Sequence, residues 1–235
     1  MHRVLHAFAN PFYFRQALPD IWSGFTINVQ MMLIAEALVL VFALVLAIVR
    51  GLPGPGAKPF RGLAVVYTDF FRGTPLTLVA FVFILGIPGL GYPGISHYSN
   101  EVYGIAALTV VYTAYVTEVY RAGIESVHGS QRMAARSLGL SYGHTMRYVV
   151  LPQAIRRVVP PLLNDFIGLQ KDTAIIGAIG VIEAAAQANN FASSYFNFTG
   201  FLVAAVFFIY LTIPLARYTD HIIREREQRE RATAG

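Results

Sequence analysis

Residues 26–49 read TINVQMMLIAEALVLVFALVLAIV, a largely apolar stretch in which Glu36 is the only charged residue. As a helix it would extend about 36 Å, at roughly 1.5 Å per residue, which exceeds the bilayer hydrocarbon core at about 30 Å. The apolar run is too long for a secretory signal peptide, and no small-residue cleavage site follows it. The stretch therefore predicts a membrane-spanning helix.

The composition of the whole chain also indicates a membrane protein. Hydrophobic residues make up 55% of the 235 residues and charged residues only 13%, whereas soluble domains contain about a quarter charged residues. Four further stretches are candidate spans, at residues 76–87, 102–120, 161–182 and 198–215. The second could begin within the amphipathic stretch 60–71, and Thr74 and Pro75 predict a bend there because proline removes an amide donor. We expect an all-α integral membrane fold with about five transmembrane helices.

The positive charges are unevenly distributed among the connections between these spans. Most of the 18 Lys and Arg residues lie in segments 50–61, 121–157 and 217–231, while segments 88–101 and 183–197 contain none. Cytoplasmic connections carry the excess of Lys and Arg, so we expect the N-terminus outside and the C-terminus inside. Arg3 and Arg15, near the N-terminus, weakly favour the reverse orientation. The net charge of +5 is therefore a topology signal, and it does not indicate a nucleic-acid partner.

Several classes of chemistry lack the residues they need. The absence of cysteine excludes disulfides, zinc ribbons, iron–sulfur clusters and thiol nucleophiles. An intramembrane hydrolase is not supported, because the sequence contains neither a His-Glu-x-x-His pair nor a Gly-x-Ser-x-Gly elbow. The glycine-rich segment 51–58 has Ala57 where a phosphate-binding loop needs lysine. A channel or secondary transporter is an alternative, although such proteins commonly carry internal repeats or paired broken helices, and neither is visible in the sequence.

The connection at residues 124–159 is long enough to contain two short helices. Ser130 predicts the N-cap of a helix over residues 131–138, and Gly139 predicts its left-handed end. Ser141 predicts the cap of a second helix over residues 142–150, which Pro152 would end. From spacing alone, a hairpin lying on the membrane surface and a docking element for a partner remain equally open.

The spacing Ala134-Ala135, Gly139, Val149 and Leu151-Pro152 resembles the EAA loop in permease subunits of bacterial ATP-binding-cassette (ABC) importers. Four other stretches resemble the polar amino-acid subfamily of these permeases: FFRGTPL at 70–76, AYVTEVYR at 114–121, LPQAIR at 151–156 and LQKDTA at 169–174. The resemblance extends over residues 25–220. The chain departs from the family at Met133, where the loop usually has glutamate, and conservatively at Val149. A glutamate at position 133 would complete a capping box with Ser130.

The resemblance implies a type-1 transmembrane domain that docks its loop onto a separate cytoplasmic ATPase. The implied partners are a second permease, identical or homologous, two ATPase subunits, and a periplasmic or extracellular amino-acid-binding protein. This chain would be a transport subunit of the bacterial cytoplasmic membrane, not an enzyme, with no cofactor or metal of its own and with ATP used by the partner. The implied coupling residues are Met133, Ala134, Ala135, Arg136, Gly139, Leu151 and Pro152.

The fourth apolar stretch contains two adjacent charges, Lys171 and Asp172. Each costs about 2.5–3.5 kcal/mol at a bilayer centre, so each needs a partner or a wet cavity. Helical spacing places Lys171 on one stripe with three other candidate pathway residues, Asn164, Gly168 and Ile175. With the family's substrate class, we expect Asp172 to bind the ammonium of an amino acid and Lys171 its carboxylate. The alternative is that both charges pair with other spans for assembly alone.

Three glutamates complete the candidate residues. Glu183 would continue the pathway side if the fourth helix extended past Gly180, and a position at the external rim is equally open. Glu118 lies three residues before Arg121, which predicts a structural ion pair. Glu36 has no partner identifiable from sequence. We divide the chain into an N-terminal segment (1–21), the transmembrane domain (22–220) and a charged cytoplasmic tail (221–235).

Overall fold

The computed structural model describes residues 7–234, with side chains through residue 226 and at residue 228. This part of the chain is almost entirely helical and contains no strand. The helices are α1 (Pro11–Gly51), α2 (Lys58–Gly73), α3 (Leu76–Phe81), α4 (Asn100–Glu125), α5 (Gly129–Ser137), α6 (Tyr142–Thr145), α7 (Leu151–Gly177), α8 (Ala184–Tyr195) and α9 (Thr199–Ala234). Helix α3 continues through a π turn, Val82–Gly86, to Ile87–Gly89, and the π turn Met146–Val150 joins α6 to α7.

The first helix starts well before the apolar stretch that predicts it. Asn10 caps α1 by accepting a hydrogen bond from the Phe12 amide at 3.0 Å, and Pro11 occupies the first turn, where no amide donor is needed. The helix then continues without interruption past residue 21, the end of the predicted N-terminal segment. Residues 1–6 of that segment lie outside the described residues.

Within the described residues, three helices are long and apolar enough to cross a membrane, namely α1, α4 and α9 through Arg226. Helices α2 and α3 together form a fourth, broken candidate, bent by 102°. The bend falls at Thr74 and Pro75, as the sequence predicts. Helix α7 is 27 residues long, but it contains Arg156, Arg157, Asp165, Lys171 and Asp172. It lies within the bundle through contacts with α4, α9 and α1, despite its charge.

The structure corrects four details of the predicted helices. Helix α5 begins at Gly129 after His128, so Ser130 lies inside the helix and is not its cap. Pro152 lies in the first turn of α7 and does not end a helix, because proline is tolerated where no intrahelical amide bond is required. The fourth predicted span ends at Gly177, before Gly180, and the following connection forms α8.

The main hydrophobic core forms where α1, α4 and α7 meet. Its fully buried members include Met31 and Val39 of α1, Leu108 and Val116 of α4, and Leu169 of α7. A second core joins α1 to α8 and α9. Large apolar side chains on the outer faces of α1 and α9 remain exposed, which is the pattern expected of helices that face lipid. The main core holds α7 against α1 and α4 through Leu169 and Ile176.

Candidate functional site

A cavity of about 450 Å³ opens at the break between α2 and α3. The break itself contributes Arg72, Gly73, Thr74, Pro75 and Leu76 to its wall. Helix α4 contributes Val111, Tyr112 and Tyr115, and helix α7 contributes Asn164, Asp165, Gly168 and Asp172. The bend therefore creates a polar space inside the bundle, where a straight helix would pack against α4 and α7.

The cavity contains charges of both signs. The Asp172 carboxylate accepts a hydrogen bond from the Tyr112 hydroxyl at 2.8 Å, which fixes its orientation. Asp165 Oδ2 is buried and has no hydrogen-bond partner among the described residues. Arg72 supplies a cationic side chain at the same wall. The space can therefore hold a ligand that carries an anionic and a cationic group.

The predicted pathway residues separate into two groups. Asn164, Gly168 and Asp172 line the cavity together. Lys171 is exposed and Ile175 is partly buried, and neither belongs to the cavity wall. Adjacent residues of a helix point about 100° apart, so Asp172 can face the cavity while Lys171 faces away from it.

Sequence reasoning missed four polar residues of this wall, Arg72, Tyr112, Tyr115 and Asp165. A signal existed for Arg72, because it lies two residues before the predicted bend at Thr74 and Pro75. No sequence pattern connects Tyr112 of α4 with Asp172 of α7, which are 60 residues apart. Their contact depends on how the two helices pack.

A second cavity, of about 510 Å³, shares Arg72, Tyr115 and Asp165 with the first. It extends past Glu118 of α4 and Arg157 of α7. Glu118 pairs with Arg121 at 2.7 Å, as the sequence predicts, and also with Arg50 of α1. The shared residues place the two cavities next to each other along α4.

Glu183 lies in a different environment from the cavity residues. Its side chain is fully buried and caps α8 by accepting hydrogen bonds from the amides of Ala185 and Ala186 at 2.9 and 2.7 Å. Asn28 of α1 donates a third hydrogen bond to it at 2.9 Å. A side chain at position 177 would overlap Glu183, so the glycine there leaves the space that the Glu183 carboxylate occupies. The geometry gives Glu183 a structural role where α1, α7 and α8 meet.

The predicted coupling residues lie on and beside α5. Met133 is 66% exposed, and Ala134 and Arg136 are also exposed. Leu138, which is not among the predicted coupling residues, is 83% exposed just after the helix. Ala135, in contrast, is 6% exposed and is the buried residue of α5. The helix packs on α6 and the π turn after it. Ala135 therefore faces these two elements, and the residues on either side of it face outward.

The loop geometry fixes the position of α5. Gly139 has φ of 83°, the left-handed conformation that its sequence position predicts. Ser141 caps α6 by accepting from the His144 amide, also as predicted. Leu151 and Pro152 are exposed in the first turn of α7. Gln153 of α7 donates to Gln131 of α5, which ties the loop to the long helix.

The described part of the chain contains no group of three or more His, Asp or Glu side chains that could hold a metal ion. The cavities are therefore the chemically distinctive features of the interior. Their walls carry charged and polar side chains from several helices.

Comparison with known proteins identifies the family. The family described as "Binding-protein-dependent transport system inner membrane component" matches residues 56–228. The chain is 37% identical over 172 residues to the probable glutamine ABC transporter permease protein GlnM of Bacillus subtilis, covering 73% of this chain and 78% of that protein. It is 33% identical over 207 residues to the glutamate transport system permease protein GluC of Corynebacterium glutamicum, covering 84% and 90%.

A solved structure supports the same assignment over nearly the whole fold. A chain described as the crystal structure of an amino acid ABC transporter with histidines superposes with a TM-score of 0.84 at 28% identity. The match covers 92% of this chain and 99% of that chain. This chain therefore belongs to the binding-protein-dependent inner membrane transport components, as a permease subunit of the amino-acid ABC importers.

Proposed function

We propose that this permease moves a polar amino acid across the cytoplasmic membrane with energy from separate ATPase subunits. Relatives named for glutamine, glutamate and arginine transport support a polar substrate. The substrate would come from an extracytoplasmic binding protein and pass between this chain and a second permease. The observation that carries the proposal is the cavity at the α2–α3 break, which has charges of both signs inside a membrane bundle.

The cavity suits the zwitterionic part of an amino acid. We assign the ammonium to Asp172, whose second oxygen remains available beside the Tyr112 contact. We assign the carboxylate to Arg72 because a guanidinium can bind a carboxylate through two parallel hydrogen bonds. Asn164 lines the same wall and offers an amide, and Gly168 leaves space beside the Tyr112 hydroxyl. Lys171, the sequence-based candidate for the carboxylate, lies outside this wall.

The exposed residues of α5 are the proposed contact with the ATPase. Met133, Ala134, Arg136 and Leu138 form an outward surface on a short helix that is anchored to α7. Movement of the ATPase subunits would then reach α7, and with it the cavity residues Asn164 and Asp172. The orientation follows from the basic connections, which place the N-terminus outside and the loop inside.

Uptake by the complete importer in proteoliposomes tests the assignment of charges. We expect Asp172→Asn to reduce ATP-dependent uptake by at least about tenfold, which corresponds to roughly 1.4 kcal/mol of lost binding, while an Asn side chain still accepts from Tyr112. We expect Arg72→Gln to have a similar effect and Lys171→Gln to retain most uptake. Co-purification of all subunits must stay intact in each variant.

The opposite result would change the assignment. If Lys171→Gln abolished uptake and Arg72→Gln did not, the carboxylate would belong to Lys171, as the sequence suggests. Normal uptake by both Asp172→Asn and Arg72→Gln would remove the cavity from the pathway. Uptake that continued without any ATPase subunit would favour a secondary transporter.

A further inference from the structure

A third cavity, of about 410 Å³, lies between the beginning of α7 and the end of α9. Three arginines line it, Arg156, Arg157 and Arg226, against one acid, Glu225. Val159 and Ile222 form part of its apolar wall. The cavity is therefore basic and partly apolar, and the charges needed to bind the transported amino acid lie elsewhere.

The order of residues along the two helices separates the charged end from the apolar end. Helices α7 and α9 run antiparallel, because Thr212 donates to Gln170 at 2.6 Å while residues 153–159 face residues 222–226. The arginines precede Val159 on α7, and Arg226 follows Ile222 on α9. The guanidinium groups therefore lie toward the end of the bundle, and Val159 and Ile222 lie deeper.

Helical distances place the arginines at the membrane surface. Arg156 precedes Gln170 by 14 residues and Arg226 follows Thr212 by 14 residues, which is about 21 Å along each helix. Half of the hydrocarbon core is about 15 Å thick. With the Gln170–Thr212 contact near the bilayer centre, both arginines reach the headgroup region. Val159 and Ile222 are about 16 and 15 Å from that contact along their helices, which places them where the headgroups meet the acyl chains.

Donor groups remain free in this cavity. Arg157 donates to the Ser126 carbonyl, which leaves further donors of its five. The Arg156 side chain makes no hydrogen bond or ion pair within the described part of the chain and is exposed. A free guanidinium next to a second one is suited to a phosphodiester, which accepts two parallel hydrogen bonds.

We infer that this cavity binds an anionic phospholipid of the cytoplasmic leaflet. Its phosphodiester would contact Arg156 and Arg157, and an acyl chain would lie along Val159 and Ile222. Basic pockets between transmembrane helices on the cytoplasmic side commonly bind such headgroups. The inference goes beyond amino-acid transport. It shares with the transport proposal the orientation of the chain in the membrane, and Arg157 and Arg226 also line the second cavity.

Native mass spectrometry of the intact importer in mild detergent tests the lipid site directly. The complex is titrated with phosphatidylglycerol or with phosphatidylcholine of the same acyl chains. We expect preferential retention of phosphatidylglycerol, and about fivefold weaker binding after Arg156→Gln, because one cation near the surface is removed. Arg224→Gln is the matched control, since it removes the same charge from α9 outside the cavity wall, and we expect no change.

Four results would overturn the inference. In the first, Arg156→Gln binds phosphatidylglycerol as well as the unmodified complex does. In the second, Arg224→Gln weakens binding as much as Arg156→Gln, which would indicate diffuse electrostatic attraction. Soluble glycerophosphate could compete as well as the lipid, which would indicate a soluble anion. Loss of the ATPase from the Arg156→Gln complex would identify a protein interface. Because the readout is binding, failure of the transport proposal would leave this test unaffected.

Discussion

At the scale of single residues, neighbouring charges have different environments. Asp172 is held by Tyr112 at the cavity wall, and Lys171 is exposed outside it. A helix separates the directions of adjacent side chains by about 100°, and here that separation turns Asp172 toward the cavity and Lys171 away from it. The polar character of this span is readable from the sequence, whereas the charge that faces the cavity depends on the rotation of α7 about its axis.

The environment of Glu183 leads to a stability prediction. We expect Glu183→Gln to lower the free energy of unfolding by about 1–3 kcal/mol. Its NH2 group would replace one of the two acceptor oxygens and would face either the Ala186 amide, or the Ala185 amide and the Asn28 side chain. Thermal unfolding in detergent measures the effect. Asp69→Asn, at an exposed carboxylate, is the control and should unfold like the unmodified chain.

A direct pathway role for Glu183 predicts the reverse pattern. Glu183→Gln would then leave thermal unfolding unchanged and would raise the substrate concentration needed for half-maximal uptake. Such a result would also mean that Glu183 becomes accessible in another conformation of the importer, since its side chain is fully buried here.

At the scale of elements, α5 shows how a short helix can present one surface and bury the other. Ala135 is buried on the side that packs on α6 and the π turn, and Met133 and Leu138 are exposed. A bulky residue at position 135 would therefore act first on internal packing, because close-packed sites do not accept extra volume without strain. Reduced coupling in Ala135→Trp would then be a secondary effect, and it would not identify Ala135 as a direct contact.

The exposed surface of α5 gives the sharper test of docking. We expect Leu138→Asp to weaken association with the ATPase by about tenfold or more, as central apolar interface residues commonly contribute over 1 kcal/mol. Co-purification at increasing detergent dilution measures it. Leu90→Asp is the control, because Leu90 is also exposed, at 60%, and lies near the opposite end of the bundle. Full ATPase stoichiometry with Leu138→Asp would exclude this surface as the docking site.

At the scale of the whole molecule, the distribution of arginines predicts the orientation in the membrane. The chain has no cysteine, so single cysteines can be placed at His97 and Ser137, which are both exposed. We expect a membrane-impermeant maleimide to label His97→Cys in intact cells and Ser137→Cys only after permeabilisation. The reverse pattern would invert the topology and would place α5 away from any cytoplasmic ATPase.

The sequence by itself determined the membrane class, the family and several local features. The apolar spans, the bend at Thr74 and Pro75, the left-handed Gly139 and the Glu118–Arg121 pair all follow from patterns within a few residues. Such features depend on local backbone chemistry and on hydrophobicity, which a short stretch of sequence contains. The sequence also indicated polar residues in α7, because intramembrane charges require a partner or water.

Only the tertiary structure decided which side chains meet. Arg72 reaches the cavity because α2 and α3 bend against α4 and α7, and Tyr112 meets Asp172 across 60 residues of chain. Glu183 became a buried cap because α7 ends at Gly177 and α1 brings Asn28 to it. Ala135 turned inward because α5 packs on the following turn. These outcomes depend on helix rotation and close packing between distant segments, and no local pattern specifies either.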